Sequence, residues 1–85
     1  MKVIVIREDS HGFIGVAANE KSAQIYVINS WVQGDFYVYY KDKDMSIKEA
    51  FGENWKEILK NMPFEDFNEL MNDTFCFREE TLIEE

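Results

Sequence analysis

The chain has few of the residues from which catalytic and cofactor sites are usually built. Its 85 residues include one histidine, one cysteine, one proline and four glycines. A lone cysteine excludes a disulfide within the chain, and one histidine with one cysteine gives no ligand pair at the spacing that zinc requires. The glycines form no loop of the kind that cradles phosphates. The sequence therefore predicts a protein that is not an enzyme and holds no cofactor.

Basic residues are also scarce, and they are unevenly distributed. Nine lysines and arginines oppose 17 aspartates and glutamates, which gives a formal net charge of -8. The first 43 residues contain five basic and five acidic residues, whereas the remainder contains four basic and twelve acidic ones. The whole negative charge therefore lies in the second half. Because phosphate backbones and anionic lipids repel such a chain, we expect it to bind neither nucleic acid directly nor a membrane.

Apolar residues are plentiful enough for a packed core. Hydrophobic residues make up 46% of the chain and aromatic residues 15%. The run Val3–Ile6 near the N-terminus is followed by charges and is too short for a signal peptide or a membrane span. We therefore expect a single domain over residues 1–85, located in the cytoplasm.

Three apolar segments predict strands in the first half. Val3–Ile6 is β-branched throughout, which predicts a central strand covered on both faces. The turn formers Asp9–Gly12 join it to Phe13–Ala17, so these two strands are expected to form a hairpin. Asp35–Tyr40 is the third strand, and Lys41–Asp44 is expected to end it as a turn.

Capping residues predict the helices. Asn19 is a suitable N-cap and Gly34 a suitable C-cap for a helix over residues 20–33. Ser46 and Glu49 match a capping box that begins a second helix, which either passes through Gly52 or is interrupted there.

The single proline and the C-terminal segment complete the predicted order. Pro63 predicts a new helix over residues 63–72, and alternation over residues 74–83 predicts a last strand. The order β-β-α-β-α-α-β predicts an α+β fold with an antiparallel or mixed four-stranded sheet. A right-handed crossover gives the strand order 2-1-3, the fourth strand extends an edge, and the helices cover one face.

We assign structural roles, and not catalytic ones, to the Asp9–His11 segment and to Cys76. Asp9, Ser10 and His11 are neighbours in a turn, so they are not expected to form a catalytic triad, whose members come from separate segments. Cys76 lies between Phe75 and Phe77, which predicts a buried, inert thiol.

The carboxylates of the second half are the main candidates for function. Glu49, Glu53 and Glu57 are spaced four residues apart, which predicts one stripe if the helix continues through Gly52. In the following helix Glu65, Glu69 and Asp73 are expected to lie on one face, with Asp66 beside them. No lysine or arginine lies between Pro63 and Phe77. The predicted protein-binding residues are Glu49, Glu53, Glu57, Glu65, Asp66, Glu69 and Asp73.

Three segments resemble parts of known small proteins. His11–Ala17, Glu20–Ala23 and Phe51–Lys56 are similar to the small α+β proteins encoded by phages and prophages of Gram-positive bacteria. That resemblance implies a phage origin, a host cytoplasmic location, and inhibition of host defence or host enzymes by binding. Phe51–Asn54 also resembles the Tyr-Gly-Glu-Asn segment of the barstar family of acidic ribonuclease inhibitors, although the predicted strand order departs from that family.

Two functional hypotheses follow. In the first, the protein is an acidic, non-enzymatic binding module, such as an inhibitor or nucleic-acid mimic. Its partner is then a basic surface on a nuclease, a CRISPR effector or a DNA-binding protein. In the second, it is a structural or assembly protein that forms homodimers or larger assemblies through an exposed sheet edge, either Tyr37–Tyr40 or the C-terminal strand. The plainest alternative is that the acidic face only keeps the protein in solution.

Overall fold

The fold is α+β, and a computed structural model describes it over residues 1–81. Within that range there are two antiparallel sheets, of three and two strands, and four short helices. The elements in chain order are β1 (Lys2–Glu8), β2 (Gly12–Ala17), α1 (Glu20–Ser30), β3 (Tyr37–Tyr40), β4 (Lys43–Ser46), α2 (Ile47–Phe51), α3 (Trp55–Asn61), α4 (Phe64–Leu70) and β5 (Phe75–Thr81).

The first two strands form the predicted hairpin. Gly12 has φ +75°, a conformation that L side chains rarely adopt, and it begins β2 directly after the turn. A bulge between Ile6 and Arg7 of β1 leaves Ile14 as an extra residue on β2, since Arg7 pairs with Phe13 and Ile6 with Gly15. Gly15 lies close to α1, since a Cβ here would come within 3.1 Å of the Tyr26 ring and the ring would have to shift slightly.

β1 is the central strand, as predicted, but the predicted four-stranded sheet is wrong. The three-stranded sheet has the order β2-β1-β5, so the C-terminal strand takes the place expected for the third strand. All seven residues of β1 pair with β5, from Lys2 opposite Thr81 to Glu8 opposite Phe75. A seven-residue partner satisfies more of the backbone of β1 than a four-residue strand would, which favours this pairing.

The third strand pairs locally instead. β3 and β4 form a two-stranded hairpin in which Tyr40 is opposite Lys43, and Lys41 and Asp42 form the turn with φ 52° and 67°. Two positive φ values in a two-residue loop are typical of a type I′ turn. The predicted turn over residues 41–44 is therefore shorter, and its last two residues belong to β4. Pairing of β3 with β4 closes a loop of two residues and so costs much less entropy than pairing of β3 with β1 would.

The predicted caps begin two of the helices. Asn19 Oδ1 accepts a hydrogen bond of 2.8 Å from the Ser22 N–H at the start of α1. Ser46 Oγ accepts one of 3.2 Å from the Glu49 N–H at the start of α2 and lies 3.1 Å from the Glu49 carboxylate. α1 ends at Ser30, three residues before the predicted end.

One hydrophobic core joins the sheets and the helices. Ile4, Ile6 and Phe75 bring the three-stranded sheet into it, and Val38 brings in β3. Phe67 of α4 is fully buried there, whereas Trp55 is half-buried at the margin. The helical core residues are Ala23, Val27, Ile28, Ile47, Leu59 and Phe67.

Cys76 contradicts its predicted burial. β5 alternates, so that Phe75 and Phe77 turn towards the core while Cys76 turns to the opposite face and is exposed. The flanking phenylalanines misled the prediction, because period-two alternation places neighbours in a strand on opposite faces. None of the helices over residues 1–81 has the length and apolar composition needed to cross a bilayer.

Candidate protein-binding cleft

Three of the predicted acidic residues line a cleft between α4 and the β3–β4 hairpin. Its volume is about 420 Å³. One wall comes from the end of β3 and its turn, and the other from α4 and the residues that follow it. The lining residues are Tyr39, Tyr40, Lys41, Asp66, Glu69, Leu70, Asn72 and Asp73.

Two tyrosines form the aromatic wall. Tyr40 is half-buried, and its ring packs 4.9 Å from the ring of Phe51, which holds it in place. Tyr39 points to the other side of the strand and is 59% exposed. Lys41 extends over the Tyr40 ring, with Nζ 5.4 Å from the ring centroid. This distance lies within the range of a cation–π interaction, so the aromatic wall already attracts a cation of the chain itself.

The acidic wall is built by one short helix and the turn after it. Asp66 and Glu69 are three residues apart on α4 and therefore lie on the same side of it. Asp73 was predicted to be on the helix but follows its end, in a turn where the Thr74 N–H donates to the Met71 carbonyl at 3.0 Å. The three carboxylates are exposed to solvent.

The other four predicted residues are exposed but do not line the cleft. Glu49 takes part in the cap of α2, and the carboxylate of Glu53 lies 3.3 Å from Lys48 Nζ. Glu57 and Glu65 belong to α3 and to the first turn of α4. Of the two alternatives for Gly52 the structure has the interrupted helix, so the condition for a stripe of Glu49, Glu53 and Glu57 is not met and these residues do not share one helix.

The arrangement suits an extended cation better than a metal ion. Across residues 1–81, no three histidine, cysteine, aspartate or glutamate side chains converge as a metal site would require. Carboxylates spread along one wall and a tyrosine face on the other can contact a guanidinium or ammonium group at several points. Leu70, half-buried between them, can contact the aliphatic stem of such a side chain.

The sequence did not identify the aromatic wall or Lys41 as part of the site. The sequence predicts Tyr39 and Tyr40 to lie in a strand whose edge is a candidate for self-association, and Lys41 to lie in a turn. Their approach to α4 depends on the tertiary packing of the hairpin, for which the sequence carries no local signal. The segment 64–76, which lacks basic residues, contains the three carboxylates that line the cleft.

A second, smaller cleft of about 310 Å³ adjoins the β1–β2 turn, and Asn72 and Asp73 line both clefts. In this turn Glu8 is buried and accepts hydrogen bonds from His11 Nδ1 at 3.0 Å and from the Ser10 N–H at 2.5 Å. The hydrogen bond from His11, and next that from Ser10, holds the pKa of Glu8 below its ordinary value of 4.5. The carboxylate therefore organises the turn.

Comparisons with protein-family models, with curated proteins and with solved structures find no match to this chain.

Proposed function

We propose that the protein is an acidic, non-enzymatic binding module whose cleft receives a lysine or arginine side chain of a basic partner protein. The observation that carries the proposal is the pairing of an exposed tyrosine wall with a wall of three carboxylates in one cleft. Lys41 over the Tyr40 ring illustrates one part of this chemistry, since a partner's cation would also meet an aromatic face there.

Charge supports the same interpretation. The net charge of -8 attracts a basic surface over long range and speeds association, whereas the cleft gives the contact its local specificity. An arginine is the best match, because its planar fork can bond a carboxylate at two points while its face stacks on an aromatic ring.

The partner class that we favour is a nucleic-acid-binding protein, such as a nuclease, a CRISPR effector or a DNA-binding regulator. These proteins carry clusters of arginine and lysine that contact phosphates. Carboxylates on exposed helices can compete for such clusters, and the resemblance to phage-encoded proteins supports an inhibitory role.

A labelled arginine nonapeptide is the probe for the cleft. Replacing Asp66, Glu69 and Asp73 by Asn, Gln and Asn removes three charges with little change in size. We expect binding, measured by fluorescence anisotropy at about 50 mM salt, to weaken at least tenfold, which corresponds to about 1.4 kcal/mol. Wild-type binding should also weaken as the salt concentration rises.

The matched control removes three charges outside the cleft. Glu53→Gln, Glu57→Gln and Glu65→Gln together give the same net charge as the cleft variant. We expect this control to weaken binding less than threefold, because only the long-range attraction is reduced. Equal losses in the two variants would contradict a specific cleft. Labelled duplex DNA at about 50 mM salt should not bind at all.

Pairing of a sheet edge remains a second candidate. β5 is an edge strand of seven residues, since β1 is its partner on one side and no strand among residues 1–81 pairs with the other. An edge of this length is a template for strand addition. Edge pairing between two copies would slow the amide hydrogen exchange of β5 as the protein concentration rises.

A further inference from the structure

The three-stranded sheet has an outer face, opposite the core residues Ile4, Ile6 and Phe75, and most of this face is exposed. Side chains alternate between the two faces along each strand, and residues that pair across neighbouring strands lie side by side on the same face. The pairing therefore identifies the residues of the outer face. Phe13, Arg7 and Cys76 form one row across the sheet, and Val16, Val5 and Arg78 form the next. Val3 and Glu80 form the third. We call these eight residues the outer face.

The outer face is unusually apolar for a surface in water. An antiparallel sheet with one solvated face normally carries polar residues there. Here Phe13 is 58% exposed and Val16 is 54% exposed, whereas Val5 is half-buried and Val3 is buried. The composition of β1 predicted cover on both faces, and on the outer face Val3 is covered whereas Phe13 and Val16 of the neighbouring strand are exposed. Exposed apolar patches of this kind mark sites of protein interaction.

The charges of the outer face differ from those of the rest of the surface. It holds Arg7, Arg78 and Glu80, and Arg78 Nε lies 3.1 Å from the Glu80 carboxylate. None of the seven predicted acidic residues belongs to it. Two copies of a chain with net charge -8 repel each other through their acidic helical surfaces. The outer face is therefore the surface through which two copies can approach with the least repulsion.

We propose that a second copy of this chain covers the outer face, so that two three-stranded sheets pack face to face. Sheets packed in this way lie about 10 Å apart and bury the residues between them. Since Arg78 and Glu80 are two residues apart on the same face, antiparallel β5 strands let each arginine meet the glutamate of the other copy.

The size of the face limits the strength of the dimer. Three strands at a spacing of about 4.8 Å give a patch smaller than a standard protein interface. We therefore expect a dissociation constant on the order of 0.1 mM. Sedimentation velocity between about 10 μM and about 1 mM should show conversion from monomer to dimer. A protein that stays monomeric over this range would overturn the proposal.

The test uses two exposed strand positions as a matched pair. Val16→Glu adds a carboxylate to the outer face, and Tyr37→Glu adds one to β3, where the native side chain is 65% exposed. We expect Val16→Glu to weaken dimerisation at least tenfold, and Tyr37→Glu to change it less than threefold. Far-ultraviolet circular dichroism of the monomers checks that both variants are folded. Equal effects, or no effect of Val16→Glu, would contradict the face-to-face contact.

A charge exchange provides a variant that does not depend on the apolar residues. Arg78→Glu should weaken the dimer, and the double variant Arg78→Glu, Glu80→Arg should restore it. Higher salt should strengthen the dimer because it screens repulsion between the acidic copies, whereas cleft binding should weaken. If the dimer survives Val16→Glu and instead slows amide exchange in β5, the sheets pair edge to edge and the proposal fails.

Discussion

At the scale of single residues, Glu8 shows how a buried carboxylate can stabilise a turn. Its two hydrogen-bond donors, His11 and the Ser10 N–H, belong to the turn that joins β1 to β2. The ring of His11 in addition packs edge to face with Trp31, at 5.1 Å between centroids. Ser10 and His11 thus contact Glu8, whereas the Asp9 N–H donates to the Thr74 carbonyl at 2.8 Å.

The lowered pKa of Glu8 predicts a stability that depends on pH. A carboxyl group whose pKa is lower in the folded state stabilises the fold above its unfolded pKa, and this contribution disappears as the pH falls through the folded pKa. Glu8→Gln should therefore destabilise the protein at pH 7, and the difference from wild type should shrink at roughly pH 3. Urea unfolding at the two pH values measures it.

The control for this prediction is Glu57→Gln, at an exposed position on α3. It should change the free energy of unfolding by less than about 0.5 kcal/mol at pH 7. If the gap between wild type and Glu8→Gln is the same in acid as at neutral pH, the hydrogen bonds to the Glu8 carboxylate do not carry the effect.

At the scale of elements, Gly52 determines how the acidic residues are distributed. It caps α2 with φ +83° and ψ -163°, and its N–H donates to the Lys48 carbonyl at 2.8 Å. Only glycine adopts this backbone region readily. The chain changes direction here, α3 begins at Trp55, and carboxylates that a continuous helix would have aligned are separated.

Substitution by alanine is expected to have opposite effects on stability at two glycines, Gly52 and Gly34. Gly52→Ala should cost about 1–3 kcal/mol, because its φ is strained for alanine although a Cβ meets no atom within 4 Å. Gly34→Ala should stabilise by about 0.4–1 kcal/mol, because its φ is ordinary and its Cβ would lie 3.6 Å from Trp55 Nε1, in normal contact. Urea unfolding compares them, and a neutral Gly52→Ala would contradict the strain argument.

Capping residues and hydrophobic patterns predicted the structure of individual elements. They did not predict β4 or the cleft, because tertiary contacts determine where those residues lie. The caps at Asn19 and Ser46 and the central position of β1 follow from residue type and hydrophobic pattern, and they are confirmed. β4 was missed because Lys43–Ser46 contains no β-branched or aromatic residue, and its turn contains neither glycine nor asparagine. The aromatic wall of the cleft was missed for the same reason, since its position follows from that hairpin.

At the scale of the whole molecule, the two proposed surfaces use different residues. The cleft is lined by residues of β3, of α4 and of the turns that follow them, and its Asp73 also lines the smaller cleft together with Arg7 and Cys76 of the outer face. A dimer through the outer face would carry two clefts, so one assembly could hold two basic side chains of a partner. Binding to a multivalent partner would then gain from the effective concentration of the second cleft.

The strand order β2-β1-β5 also has a consequence for how the chain folds. β1 meets β2 through a short turn, but its contact with β5 joins residues 2–8 to residues 75–81, so the sheet includes both local and very distant contacts. Closing the long loop costs entropy before the contact is made, which slows this step. The β3–β4 hairpin, in contrast, closes over two residues.

We therefore expect β5 to dock late, after the transition state for folding. Val38→Ala in β3 and Phe75→Leu in β5 both alter buried residues. The first should slow folding, whereas the second should mainly speed unfolding, and stopped-flow kinetics over a range of urea concentrations separates the two. If Phe75→Leu slows folding as much as Val38→Ala, β5 is already in place in the transition state. Until β5 docks, the inner face of β1 lacks the cover of Phe75, and the chain is then most exposed to aggregation.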